Sequence, residues 1–135
     1  MNDVDRACRD LLDRVEGATA CGVIDMDSCM VLGVQSNTAL DPALIDVVAA
    51  AAVECFRGPN VTRVEEIVRA HFNLPDESAH GVREIYLASA SSAHFARTIR
   101  DGHAIVLLVT DRTVNIGMGW SQLRAAARGI EELIP

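Results

Sequence analysis

The chain has 135 residues, half of them apolar, and its twelve basic and nineteen acidic side chains give a net charge of −7. This length predicts one domain over residues 1–135 with a buried core. The acidic balance argues against nucleic acid or an anionic membrane as the partner, because phosphate binding needs clustered cations. All twelve basic residues are arginines, which excludes nucleotide sites and catalytic centres that depend on a lysine.

The sequence also bears on the location of the protein in the cell. The longest apolar stretches run to about ten residues, well short of the roughly 20 that a membrane helix needs, so no direct membrane insertion is expected. The segment Met1–Arg6 is acidic and polar, unlike a secretory signal, and a cytoplasmic location is predicted. The four cysteines form no CxxC pair, so we interpret them as small buried thiols, with a disulfide or a zinc site as the alternatives: Cys8, Cys21, Cys29 and Cys55.

The first elements are predicted to be a helix and a hairpin. Apolar residues recur at helical spacing over Val4–Val15, which indicates an amphipathic helix that ends before Gly17. The runs Ala18–Ile24 and Met30–Val34 are typical of two strands. The Asp and Ser residues of segment 25–28 favour the turn between them, because their side chains bond nearby backbone amides.

A second helix is predicted from Pro42 to Arg57, since Asp41 is a good N-cap and proline is tolerated at the first helical position. It should stop at Gly58-Pro59. A third helical segment follows, with a capping box formed by Thr62 and Glu65 and an apolar stripe of Val61, Val64, Val68 and Phe72. Asn73–Gly81 is polar and is interpreted as a loop.

Three strands and a helix complete the chain. The strands are predicted over Val82–Ala88, Phe95–Arg100 and Ala104–Thr110, with Asp101-Gly102 as a two-residue hairpin turn between the last two. The final helix has the regular apolar stripe Trp120, Leu123, Ala127, Ile130 and Ile134. The order αββα(α)βββα predicts an α/β (α+β) fold, a single five-stranded antiparallel sheet with helices on both faces.

The second helix indicates a partner. Between Val47 and Val53 it has no polar side chain, whereas a sheet covers only one side of a helix. Either the 61–72 helix or the following loop covers the other side, or a second copy does.

The strand Val82–Ala88 adds a second argument, because it would lie at an open sheet edge whose only charges are Arg83 and Glu84. Pairing of this edge across a two-fold axis would place the two Pro42–Arg57 helices side by side. The residues predicted for this homodimer interface are Leu44, Val47, Val48, Ala51, Ala52, Cys55, Arg83, Ile85 and Leu87.

Three stretches resemble the roadblock family of dynein-light-chain-related domains. They are Arg14–Ala18, Ile24–Ser28 at the first hairpin, and Asp111–Met118 before the last helix. The resemblance covers nearly the whole chain and implies a profilin-like fold. It also implies a homodimer built through the second helix and third strand. Bacterial members of this family resemble regulators or scaffolds of small Ras-like GTPases.

No enzyme activity, cofactor or metal is predicted. The histidines lie at least nine positions apart, at no zinc-binding spacing: His71, His80, His94 and His103. Ser89, Ser91 and Ser92 near His94 lack a nucleophile elbow, and glycines 117 and 119 lack the rest of a phosphate-binding loop. Arg97, Arg100 and Arg112 form either a basic patch for an acidic partner or a solvated rim.

The function expected from these observations is a homodimeric, protein-binding regulator or scaffold for a small Ras-like GTPase. The alternative from a different class is a constitutive assembly subunit of a larger complex with no nucleotide-linked partner. A small-molecule sensor or an enzyme is a third and weaker interpretation.

Overall fold

Five antiparallel strands form one sheet in this computed structural model, which describes residues 1–75 and 81–135. In chain order the elements are α1 (Asp3–Arg14), β1 (Ala18–Asp25), β2 (Val31–Ser36), α2 (Pro42–Arg57), α3 (Pro59–His71), β3 (Glu84–Ala88), β4 (Ser92–Ile99), β5 (Ala104–Asp111) and α4 (Ile116–Glu131). The strands lie in the order β2-β1-β5-β4-β3. The predicted fold class and element order are therefore confirmed.

One face of the sheet is covered by α1 and α4. The first helix starts at Asn2 with a capping box to Asp5, and α4 starts at Asn115, whose side chain accepts a hydrogen bond from the amide of Met118. Their predicted apolar stripes point inward and pack on β1, β4 and β5, through Val4, Cys8, Leu11, Leu123, Ala127 and Ile130. This is the larger of the two cores.

The other face is covered by α2 alone, and only thinly. Ala49 and Phe56 are its two buried residues, and they pack on Ile105 and Leu107 of the central strand. Strand β5 is buried on both faces, as its continuous apolar run predicts. No helix within residues 1–75 and 81–135 combines the length and apolar character of a membrane span.

Three local predictions about helix and strand starts are wrong. Strand β3 begins at Glu84, two residues after the predicted start at Val82. Helix α3 begins at Pro59, because proline is already set for the first helical turn, so Thr62 and Glu65 lie inside the helix and Gly58 occupies the N-cap without a side-chain bond. Strand β4 begins at Ser92 and not at Phe95, since Ser92 pairs with Asp111. Within the predicted loop Asn73–Gly81, residues 76–80, including His80, lie outside the described residues.

The turn between β4 and β5 forms in the predicted register, because the amide of His103 donates to the carbonyl of Arg100 at 3.1 Å and Gly102 has φ of 86°. Ile99 pairs with Ala104, and Arg100 and Asp101 each have φ of 53°. Tertiary contacts also hold this turn: Glu131 accepts a hydrogen bond from the amide of Arg100 at 2.6 Å. The carbonyl of His103 also accepts one from the amide of Met26 at 2.8 Å.

The prediction of four buried thiols is correct for Cys8 and Cys21 and wrong for the other two. Cys29 is exposed because it lies in the first hairpin turn with φ of 61°. Cys55 is exposed because it lies on a flank of α2 that the chain's own sheet does not cover.

Candidate protein-interaction site

Helix α2 leaves apolar side chains exposed on one flank and on its outward surface. At 3.6 residues per turn, Leu44, Ala51 and Cys55 fall on one side of α2, and Asp46 and Ala50 fall on the other. Val47 and Glu54 lie between these two sides, on the surface that points away from the sheet. Leu44 is 51% exposed and Val47 is 66% exposed. The chain therefore does not cover this helix by itself, which is what its apolar circumference predicted.

A groove of about 230 Å³ separates this flank from strands β3 and β4. Its lining is apolar apart from His94 and includes Val48, Ala51, Ala52, Cys55, Ile85 and Leu87. These are six of the nine residues predicted for a homodimer interface, and the fold brings them together although they lie in two separate segments.

The other three predicted residues lie around this groove. Leu44 lines a second apolar cavity, on the β1–β2 side of α2. Val47 points into solvent, and Arg83 precedes β3 and is also exposed. The predicted interface is therefore a contiguous groove with an exposed apolar extension toward the start of α2.

Strand β3 forms an open edge of the sheet. The carbonyl of Arg83 accepts a hydrogen bond from the amide of Thr98, and the amide of Ser89 donates to the carbonyl of Ser92, both at 2.9 Å. Since hydrogen-bonded pairs alternate along antiparallel strands, the backbone groups of Glu84, Tyr86 and Ala88 face outward. Within the described ranges no backbone group pairs with them.

The opposite edge, β2, is closed by side chains of α1. Asp5 accepts a hydrogen bond from the amide of Val34 at 2.9 Å. Asn2 and Arg9 donate to the carbonyls of Leu32 and Ser36, both at 3.2 Å. A sheet edge whose backbone groups are already bonded does not recruit another strand, so only β3 offers a full pairing surface.

The charges near the β3 edge are balanced within the chain. Glu84 accepts two hydrogen bonds from Arg124 and one from Arg97, all at 2.7 Å. Its pKa is lowered, chiefly by the bonds from Arg124 and then by those from Arg97, against an opposing effect of burial. Arg124 also lies over the Trp120 ring, 5.1 Å from its centroid. This cluster holds α4 to β3 beneath the open edge.

Of the two alternatives for Arg97, Arg100 and Arg112, the basic patch does not form. Arg97 is engaged by Glu84, and Arg112 donates to the carbonyl of Ser89. Arg100 lies in the turn after Ile99, whereas Arg112 follows the β4–β5 pair Ser92–Asp111 at the other end of those strands. The register of the hairpin therefore separates the two.

The remaining polar candidates have structural surroundings. His94 lies 3.1 Å from the hydroxyl of Ser92, and burial lowers the pKa of His94, so a neutral imidazole lines the groove. Gly119 lies inside α4, where an added Cβ would be 2.8 Å from the ring of Phe95. Among the described residues no three His, Cys, Asp or Glu side chains are grouped to hold a metal ion.

No family model and no curated protein matches the sequence. Solved structures do match. A Roadblock/LC7 domain from Streptomyces avermitilis is 18% identical, with 98% of each chain covered and a TM-score of 0.74. Myxococcus xanthus MglB is 8% identical, and the match covers 98% of this chain and 95% of the MglB chain with a TM-score of 0.73. An MglB with a tetrameric arrangement is 17% identical, with 98% and 90% covered and a TM-score of 0.71. The chain therefore has the Roadblock/LC7 fold, as the resemblance implied.

Proposed function

We propose that the chain is a homodimeric, protein-binding regulator or scaffold for a small Ras-like GTPase, acting in the cytoplasm by binding and not by catalysis. The observation that carries this proposal is the meeting of two uncovered surfaces at one groove. The apolar flank of α2 and the open edge of β3 both border it. A second copy, related by a two-fold axis, would cover both at once.

The outward groups of β3 limit how two copies pair. A two-fold axis through Tyr86 would pair the outward backbone groups of Glu84, Tyr86 and Ala88 with those of the second copy. It would place Glu84 opposite Ala88 of the second copy. An axis through Glu84 would place two carboxylates opposite each other, which is destabilising. With Tyr86 on the axis, Ile85 would lie opposite Leu87 of the second copy, on the face that carries the groove.

The free energy from α2 alone is limited. Covering roughly 300 Å² of apolar surface on the two helices would contribute up to about 7 kcal/mol, before an association cost of about 4 kcal/mol or more. A micromolar dimer needs about 8 kcal/mol net. The backbone hydrogen bonds of β3 and further apolar contacts must therefore supply the rest.

The GTPase part of the proposal rests on family likeness. The fold is shared with MglB structures, and the roadblock resemblance implies regulators or scaffolds of Ras-like GTPases. A solved MglB with a tetrameric arrangement supports self-association as a property of this fold. An acidic chain that contains no lysine fits a protein partner better than nucleic acid.

The proposal is tested in two steps. Light scattering on a sizing column first gives the mass of the purified chain at micromolar concentration, where a dimer is expected and a monomer would contradict the proposal. The immobilised protein is then used to capture partners from lysate of the source organism with GDP or with a non-hydrolysable GTP analogue. Nucleotide-dependent capture of a small GTPase supports the proposal. Equal capture of one large complex in both conditions would favour the constitutive assembly subunit instead.

A further inference from the structure

We propose that α3 is an arm that reaches across to a second copy, where its apolar stripe packs on the start of that copy's α2. The inference rests on the proposed α2–β3 homodimer and adds a second contact to it. It is drawn from the orientation of α3, from the direction of α2 and from apolar residues that the groove leaves uncovered.

Helix α3 is amphipathic, but its apolar stripe is left exposed. Its partly covered residues are Val61, Glu65 and Arg69, so a largely polar side faces the rest of the chain. The apolar stripe faces solvent and consists of Val64, Ile67, Val68 and Phe72, the last 66% exposed. None of the 13 residues of α3 is buried. A surface helix normally buries its apolar stripe, and an exposed stripe of this size indicates an interaction surface.

The arm leaves the body through a tight bend at the end of α2. The amide of Gly58 donates to the carbonyl of Glu54 at 2.7 Å, and an added Cβ at Gly58 would lie 2.6 Å from that oxygen. Pro59 then starts α3 at once, with no flexible linker between the helices. The direction of α3 is therefore set by this bend.

The two ends of α2 lie at opposite ends of the sheet. At the C-terminal end, Arg57 bonds Asp27 in the first hairpin turn and the carbonyl of Gly102 in the last one. At the N-terminal end, Leu44 shares a cavity with Thr19 and Ser36, at the far ends of β1 and β2. A two-fold axis through the β3 edges would run the two α2 helices antiparallel. The arm of one copy would then begin where α2 of the other copy begins.

An apolar surface is available at that place. Leu44 and Val47, both in the first half of α2, are exposed, and neither lines the groove beside β3. The arm is about 20 Å long at 1.5 Å per residue, enough to pass the first turns of the opposing α2. The stripe of α3 and the start of α2 are both uncovered in their own chain. In a symmetric dimer each copy's stripe would cover the start of the other copy's α2, so the contact would form twice.

The first test measures the dimer dissociation constant by sedimentation equilibrium. The double substitution V64E/V68E places two charges in the stripe, and T62E/A70E places two on the opposite, exposed side of α3 as the matched control. We expect V64E/V68E to raise the dissociation constant about 100-fold, because charges are desolvated without partners in two arms, and the control to leave it within about threefold. An unchanged constant for V64E/V68E would overturn the arm but not the dimer. A monomeric wild-type chain would overturn both.

The second test identifies what the arm touches. In a background with C29S and C55S, one tagged copy carries Leu44→Cys and a differently tagged copy carries Val68→Cys, and a short bis-maleimide is added to the mixed dimers. Crosslinks between the two tags are expected, and far fewer when Ala70→Cys replaces Val68→Cys. Two other outcomes would contradict the proposal. One is an equal crosslink within a single chain that carries both cysteines, and the other is loss of a tetramer, with the dimer intact, on V64E/V68E substitution.

Discussion

Replacing Ala51 with Arg should separate the proposed dimer while each copy stays folded. Ala51 is exposed on α2 and lines the groove with Cys55 and Leu87. In a symmetric dimer the substitution brings in two guanidinium groups, one from each copy. An unpaired charge in an interface costs about 2–5 kcal/mol, so even about 2 kcal/mol per copy raises the dissociation constant about 1,000-fold.

The neighbouring alanine provides a matched control. Ala50 is also exposed but lies on the polar flank of α2, so Ala50→Arg should leave the dimer intact. Sedimentation velocity over a concentration series measures the association, and thermal unfolding of the monomeric state measures the fold. Both variants should unfold within about 0.5 kcal/mol of the wild-type subunit, as exposed substitutions usually do. Equal weakening by both variants, or none by Ala51→Arg, would refute the placement of the interface on this flank.

Three further predictions concern the single subunit, measured in the Ala51→Arg background so that association does not contribute. Gly119→Ala should reduce the free energy of unfolding in urea by about 1–2 kcal/mol, since its Cβ would overlap the fully buried ring of Phe95. Gly129→Ala is the control: no atom lies within 4 Å of the added Cβ, so this substitution should increase the free energy of unfolding by about 0.5–1 kcal/mol. Glu84→Gln should cost about 1 kcal/mol at pH 7. The pKa of Glu84 is lowered from 4.5 in the folded chain, so its contribution is complete above that value and disappears as the pH falls through the folded pKa; a wild-type advantage that grew on acidification would contradict this. A thiol reagent should modify Cys29 and Cys55 in the folded subunit and leave the buried Cys8 and Cys21 unmodified until unfolding. For Cys21 a second reason is that the hydrogen bond with Cys8 and burial raise its pKa. In the wild-type protein, dimerisation should protect Cys55 but not Cys29.

Much of the fold could be predicted from the sequence because the determining signals are local. The apolar spacing of α1 and α4, the Asp41-Pro42 start of α2 and the continuous apolar run of β5 each follow from residues close together in the chain. The wrong predictions came from competing signals. Thr62 and Glu65 have the spacing of a capping box, but Pro59 begins the helix earlier.

The candidate site could be predicted only in part. The absence of polar residues between Val47 and Val53 indicated that α2 has more apolar surface than one sheet covers. The sequence did not reveal that the stripe of α3 stays exposed, because amphipathic spacing shows that a helix has an apolar face and not what covers that face. Nor did it reveal the pairing of Glu84 with Arg124, which lies 40 positions further along the chain.

By itself, the sequence determined the kinds and order of the elements and the presence of uncovered apolar surface, since these depend on spacing along a few turns or strands. The open edge at β3 was also predicted, and only the tertiary structure decided that the other edge of the sheet, β2, is closed. Asn2, Asp5 and Arg9 close β2 from about 30 residues away, and no side chain among the described residues does the same for the outer side of β3. The closure of β2 depends on hydrogen bonds between segments distant in the chain, and the local spacing of residues does not indicate such bonds.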